Sequence, residues 1–198
     1  MTDNPDRRRI MQLSLVAIPA LMVLGKAGSA LAEDPAKPAI GGAGPQHDFD
    51  FFLGSWSVRH RRLKKRLADN HDWEEFDGST HCQSLLGGIV NLNESVSHRA
   101  GKSYRGMGLR AFDAKTSTWA DWYLNANDPT SLGVPGLGRF ANGIGTFLSD
   151  ETFEGRPVKV RGIFTPITAS SAQWEQAFSP DGGKTWETNW VMRYTRTA

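Results

Sequence analysis

Between residues 54 and 196 apolar and aromatic side chains alternate with polar ones, and clusters of Gly, Asn, Asp or Pro break the pattern every roughly eight to twelve residues. A period of two places one face of a strand in a core and the other in water, and regular breaks turn such strands into successive hairpins. The chain is thereby constrained to an all-β fold. Ten strands are expected, at 54–67, 72–84, 87–97, 103–113, 117–125, 137–141, 143–152, 156–166, 171–179 and 185–196, with residues 47–53 as a short N-terminal helix. Short turns in sequence order favour an antiparallel up-and-down barrel over a sandwich, because closure disposes of the sheet edges.

Three hairpins can be written residue by residue. Across a turn at 68–71, Lys65 faces Glu74, Lys64 faces Glu75, Arg62 faces Asp77 and Leu63 faces Phe76. The basic run 59–66 then reads as half of a self-neutralising hairpin rather than as a polyanion site. In the second, Phe112 opposite Trp119 sets Arg110 against Asp121 and Leu109 against Trp122. The third holds Ser179-Pro180-Asp181-Gly182-Gly183-Lys184-Thr185-Trp186, which matches the Asp-box pattern S-x-D-x-G-x-T-W of sialidases and other secreted glycosidases. That motif recurs along a propeller, whereas a single copy here reads as turn chemistry, with Gly182 and Gly183 supplying positive φ. The turn sets Phe178 against Trp186, Gln176 against Thr188 and Trp174 against Trp190, all on one face with Met192 and Tyr194.

The N-terminus reads as an address. Arg7, Arg8 and Arg9 precede an apolar stretch to residue 25, and Ala30 and Ala32 flank Leu31 just before Glu33. This is the pattern of a secretory signal cleaved after Ala32, and Arg7-Arg8-Arg9-Ile10-Met11 resembles the twin-arginine type. Residues 1–32 are therefore expected to be a signal peptide, 33–46 a Pro- and Gly-rich linker and 47–198 the barrel domain. The expected location is periplasmic or secreted in a bacterium, with the export translocase as partner and no stable membrane anchor after cleavage. The signal takes with it four of the 23 basic and two of the 21 acidic residues, which leaves 19 of each. A neutral mature chain gives no electrostatic case for nucleic acid. Cys82 is the one cysteine, so no intramolecular disulfide can form.

The opening His47-Asp48-Phe49-Asp50-Phe51-Phe52-Leu53-Gly54-Ser55-Trp56-Ser57-Val58 carries G-x-W at the start of the first strand. It resembles the calycins, the lipocalins and fatty-acid-binding proteins, in which that Trp plugs one end of a barrel. Together with Leu85-Leu86-Gly87-Gly88, Phe112-Asp113 before Trp119, and the closing segments 174–178 and 186–190, it is more closely similar to a family of bacterial proteins known as domain of unknown function family 1579. The resemblance covers nearly all of 47–196 and implies a lipocalin-like secreted barrel, not a reaction. Haem-binding calycins use a His on a late strand, and no His follows His98, so no cofactor is implied.

The chain has no P-loop, no G-x-G-x-x-G, no G-x-S-x-G and no H-E-x-x-H. Its foremost reading is a barrel that binds a small apolar or amphiphilic ligand against Trp174, Trp190 and Phe178, with Gln176 and Thr188 as hydrogen-bonding groups and 125–136 as a portal. Alternatively it is a small-molecule enzyme in which His60 or His81 acts as general base in a polar lumen, steered by Asp77 and beside Arg62. That cluster assembles inside if alternation from Trp56 carries His60 and Arg62 inward; the preferred reading is that the strand twists outward after Val58 and the group is solvated. His60, His81 and Asp77 are poorly spaced for a metal, and none is expected. A structural envelope protein with a side-chain-filled lumen is the third reading.

Overall fold

The computed structural model describes residues 42–197; the expected signal residues Arg7, Arg8, Ala30 and Ala32, and linker residues 33–41, lie outside the described residues. Two 3-10 turns, Pro45–His47 and Asp50–Phe52, precede ten strands: β1 Gly54–Leu63, β2 Trp73–Leu85, β3 Val90–Arg99, β4 Lys102–Asp113, β5 Thr118–Asn125, β6 Gly136–Ala141, β7 Ile144–Phe153, β8 Arg156–Ile167, β9 Ser171–Ser179 and β10 Glu187–Arg196. A further 3-10 turn, Leu86–Gly88, links β2 to β3. Each strand pairs antiparallel with its sequence neighbours and β10 returns to β1, so the sheet is a closed ten-stranded up-and-down barrel.

The opening segment closes one end of it. Phe49, Phe51 and Phe52 are buried, and the Phe49 ring meets Trp119, Phe140 and Phe164 at 5.0, 4.9 and 5.4 Å with near-perpendicular planes. Trp56 is buried beneath them, its Nε1 donating to the Phe52 carbonyl at 2.8 Å. The Arg196 guanidinium lies over the Trp56 ring at 4.1 Å and donates to the carbonyls of Phe51 and Leu53. Ring burial of this kind is worth about 1.5–3 kcal/mol per side chain, so the plug is a large share of the core. It begins inside the expected linker, because Trp119 Nε1 donates to the Pro45 carbonyl at 2.9 Å.

Two of the three expected registers change. β4 and β5 pair as read, with Phe112 against Trp119 and Arg110 against Asp121. β1 and β2 slip by three residues, so that Leu63 meets Trp73, Arg62 meets Glu74, Arg61 meets Glu75 and Arg59 meets Asp77. The cause is Leu67, which packs with Phe153 against Val158, Val160 and Phe178 instead of pairing with Asp72. Its N–H donates to both Glu187 carboxylate oxygens, at 2.8 and 3.0 Å, and 64–72 becomes a long loop. An odd slip inverts the faces of one strand. Asp77 and His81 therefore point outward, opposite Arg59 and Ser55.

β9 and β10 also differ from the expected pairing. Glu187, not Trp186, faces Phe178, Thr188 faces Ala177, and a bulge between Thr188 and Trp190 sets Trp190 against Gln176 and Met192 against Trp174. The bulge accommodates the extra residue and buries Asn189 completely. It also restores the parity, so Trp174, Gln176, Trp190, Met192 and Tyr194 still share the inner face, while Thr188 leaves it and donates to Glu175 at 2.9 Å.

Candidate functional site

Above the aromatic plug the lumen is not filled: it holds a cavity of about 700 Å³. Its walls differ in chemistry. On the side of β8, β9, β10 and β1 stand Phe164, Trp174, Gln176, Trp190, Met192 and His60. Trp174 and Trp190 meet edge to face at 6.0 Å, and Gly162 admits the indole, since a Cβ there would lie 3.0 Å from Trp174 Nε1. The Gln176 side-chain oxygen is buried against this wall with no hydrogen-bond partner among the described residues. It is a buried acceptor left unpaired, the kind of group that native interiors rarely leave so.

The wall of β3, β4 and β5 is polar. Arg110, 6% exposed, donates through Nη1 to the side-chain oxygens of Asn93 at 2.8 Å and Asn91 at 3.0 Å. Its Nε lies 3.2 Å from Asp121 Oδ1, and its guanidinium stands 5.0–5.1 Å from the rings of Phe52 and Phe49. The Asn93 amide donates onward to Thr80 and Ser95, both at 2.9 Å. Burial pushes the Asp121 carboxyl up against the opposing pull of Arg110. Such a pair holds only while both members stay, because removing one strands a buried charge at a cost of about 3–5 kcal/mol.

His60 lies inside, contrary to the expectation that its strand twists outward. It is 6% exposed, stacks on Phe76 at 4.6 Å with the planes 9° apart, and accepts a hydrogen bond at Nδ1 from Trp190 Nε1 at 3.3 Å. Desolvation, reinforced by Arg62, pushes its pKa down to about 4, so it is neutral at neutral pH. A general base needs a free lone pair and an orienting acceptor, and the indole occupies the one while no carboxylate among the described residues bonds the ring to supply the other. Asp77 is instead ion-paired with Arg59 at 2.8 Å on the outer face, and His81 shares a hydrogen bond with the Ser55 hydroxyl at 2.9 Å there. The inward cluster of His60, Arg62, Asp77 and His81, the alternative to a solvated group, does not assemble, since Asp77 and His81 lie outside.

Of the residues singled out in the sequence, Trp174, Gln176, Trp190 and His60 line the cavity. Arg62 continues the inner face of β1 and stacks on Trp190 at 4.7 Å. Phe178 is buried but packs beneath Leu67, away from the lining, and Thr188 lies outside. The portal reading of 125–136 places Gly133, Val134 and Gly136 on the cavity. Sequence reasoning paired Arg110 with Asp121 without seeing that both face inward. Parity would have shown it: Arg110 is two residues from Phe112, and Asp121 two from Trp119. Cys82 is buried and its thiol is pushed up to about 11, which leaves it unreactive.

No family model and no curated protein matches the chain. Among solved structures it is similar to the S-type phycobiliprotein lyase CPES from Guillardia theta, at 13% identity and TM-score 0.52, over 76% of this chain and 90% of that one. EF1p2_mFAP2b bound to DFHBI matches at 11% identity and TM-score 0.43, over 78% of this chain and 100% of that one. The likeness to the lyase is one of fold.

Proposed function

We propose that this barrel binds one small amphiphilic molecule in its lumen, as a lipocalin-like protein of domain of unknown function family 1579 exported to the periplasm or beyond by a twin-arginine signal. The observation that carries the binding reading is the cavity of about 700 Å³, which falls within the ~300–1,000 Å³ typical of ligand pockets and joins an aromatic wall to a hydrogen-bonding one. A structural barrel would fill that space with side chains. The walls suit a ligand with an apolar or aromatic face toward Trp174 and Trp190 and polar groups toward Asn93, Arg110 and Gln176. The similar structure is named a phycobiliprotein lyase, and a planar conjugated ligand would fit the division of the walls here.

The test is titration of the mature protein with a neutral apolar fluorophore, phenyl-naphthylamine, read by quenching of tryptophan. Saturable binding is expected, and Trp190→Ala should weaken it about ten-fold, since an aromatic anchor is worth more than about 1 kcal/mol. Native mass spectrometry of protein purified from its own envelope should show a retained small molecule. An absence of saturable binding across lipids and small aromatics would remove the proposal.

A further inference from the structure

Three arginines converge at the end of the lumen opposite the plug, and each is held on an aromatic ring. Arg62 lies over Trp190 at 4.7 Å, Arg66 over Phe153 and Phe178 at 5.0 and 5.5 Å, and Arg99 over Phe76 at 5.9 Å. Arg99 is ion-paired within the group, and the carboxylates near Arg62 and Arg66 are held by other partners. Glu74, directly across from Arg62, binds Arg99 at 2.7 Å, and Glu187 accepts the Leu67 N–H with both oxygens. Glu154 lies near Arg66 but is 4.0 Å from Arg156. Among the described residues no carboxylate is within ion-pair distance of Arg62 or Arg66.

We propose that Arg62 and Arg66, backed by Arg99, form an oxyanion site that takes the carboxylate or sulfonate head of an amphiphile whose body occupies the cavity. The inference rests on the binding reading and names the charge of its ligand. Half-buried guanidiniums that lack partners are costly alone and gain most from a bidentate oxyanion. Burial, then the charges of Arg66 and Arg99, hold Arg62 down to about 10 against the opposing pull of Glu74, and burial and Arg99 lower Arg66 against Glu154 and Glu187; a bound anion would oppose both. The ring under Arg62 is a cavity-lining indole, so a head group on the guanidinium continues into a body on the aromatic wall. The acidic side chains that line the cavity have partners of their own: Asp121 on β5 is matched by Arg110, Asp150 on β7 by Lys159, and Glu151 accepts from the Ser149 hydroxyl.

A matched pair of probes tests this apart from binding itself. Phenyl-naphthylamine and anilinonaphthalene sulfonate share an aromatic body and differ in the sulfonate. At low salt the sulfonate should bind about ten-fold more tightly than the neutral probe, and the preference should shrink as salt rises. Arg62→Gln and Arg66→Gln should each reduce the ratio of the two affinities, and together bring it near one, whereas Arg62→Lys should keep part of it because the charge remains. A ratio near one in the unaltered protein, or one that persists in the double Gln variant with its fold intact by circular dichroism, would overturn the oxyanion site while leaving the cavity as a binding site. Failure of both probes to bind would overturn the binding reading and this inference with it.

Discussion

His60 shows how one residue reports on its surroundings. Its imidazole gives up hydration for a stack on Phe76 and an indole hydrogen bond, and the charged form is the one disfavoured, with the pKa lowered to about 4. An unfolded histidine titrates near 6.5, so below that pH the unfolded chain takes up a proton that the folded chain refuses. Stability is thus full above about pH 6.5 and falls as pH drops toward about 4, by about 3 kcal/mol in all from this group. Urea unfolding between pH 7 and 5 should show a loss of about 2 kcal/mol that His60→Gln largely abolishes. A flat profile over that range would place His60 in water, as the sequence alone had suggested. The inward path of β1 was legible in the alternation from Trp56 through Val58; what concealed it was a run of arginines that looks solvated. Of that run Arg62 stays half-buried, as Arg66 in the following loop does, by lying on aromatic rings, which no sequence pattern announces.

Among the elements, the hairpin of β9 and β10 separates what local sequence determines from what it does not. Its turn was legible because the Asp-box is self-contained. Asp181 accepts from the N–H groups of Lys184 and Thr185 at 3.0 and 2.9 Å and from the hydroxyls of Thr185 and Ser179, both at 2.7 Å, while Ser179 Oγ accepts from Gly183 N–H at 2.7 Å. These bonds hold the Asp181 carboxyl well below the usual carboxylate range. Their contribution is present above the ordinary carboxylate pKa of about 3.9 and is lost as pH falls below it. Trp186 belongs to this turn rather than to the inner face: its Nε1 donates to the Gly183 carbonyl at 3.0 Å and Arg161 lies over its ring at 4.4 Å. Because it is half-buried, Trp186→Ala should cost about 1–3 kcal/mol, short of a full core truncation, and Asp181→Ala should lower the denaturant midpoint as well. Unchanged midpoints in both variants would show that the turn does not hold the hairpin. The bulge after Thr188 was not legible, since it reconciles the two strands beyond the bonds of the turn itself, and the slip of β1 against β2 was concealed because a basic run opposite an acidic one pairs acceptably in several registers.

For the whole molecule, closure joins the two ends of the fold. β1 pairs with β10, Trp56 standing against Arg196 and Arg62 against Trp190, so the barrel and the cavity wall are complete only when the last strand is in place. Nothing in this assembly waits for oxidation, because the one cysteine is buried and without a partner cysteine. A chain that can finish folding before it leaves the cytoplasm suits a translocase that carries folded cargo, and that is the route the Arg7-Arg8 pair is proposed to specify. The twin-arginine route reads a guanidinium pair, whereas the general secretory route needs only positive charge and a chain still unfolded. Replacing Arg7 and Arg8 together by lysine keeps the charge and removes the guanidiniums, so uncleaved precursor should accumulate in the cytoplasm with its barrel formed, resistant to protease and able to bind phenyl-naphthylamine. Normal maturation of the double-lysine variant would assign export to the general route, and the barrel would then have to close after crossing the membrane.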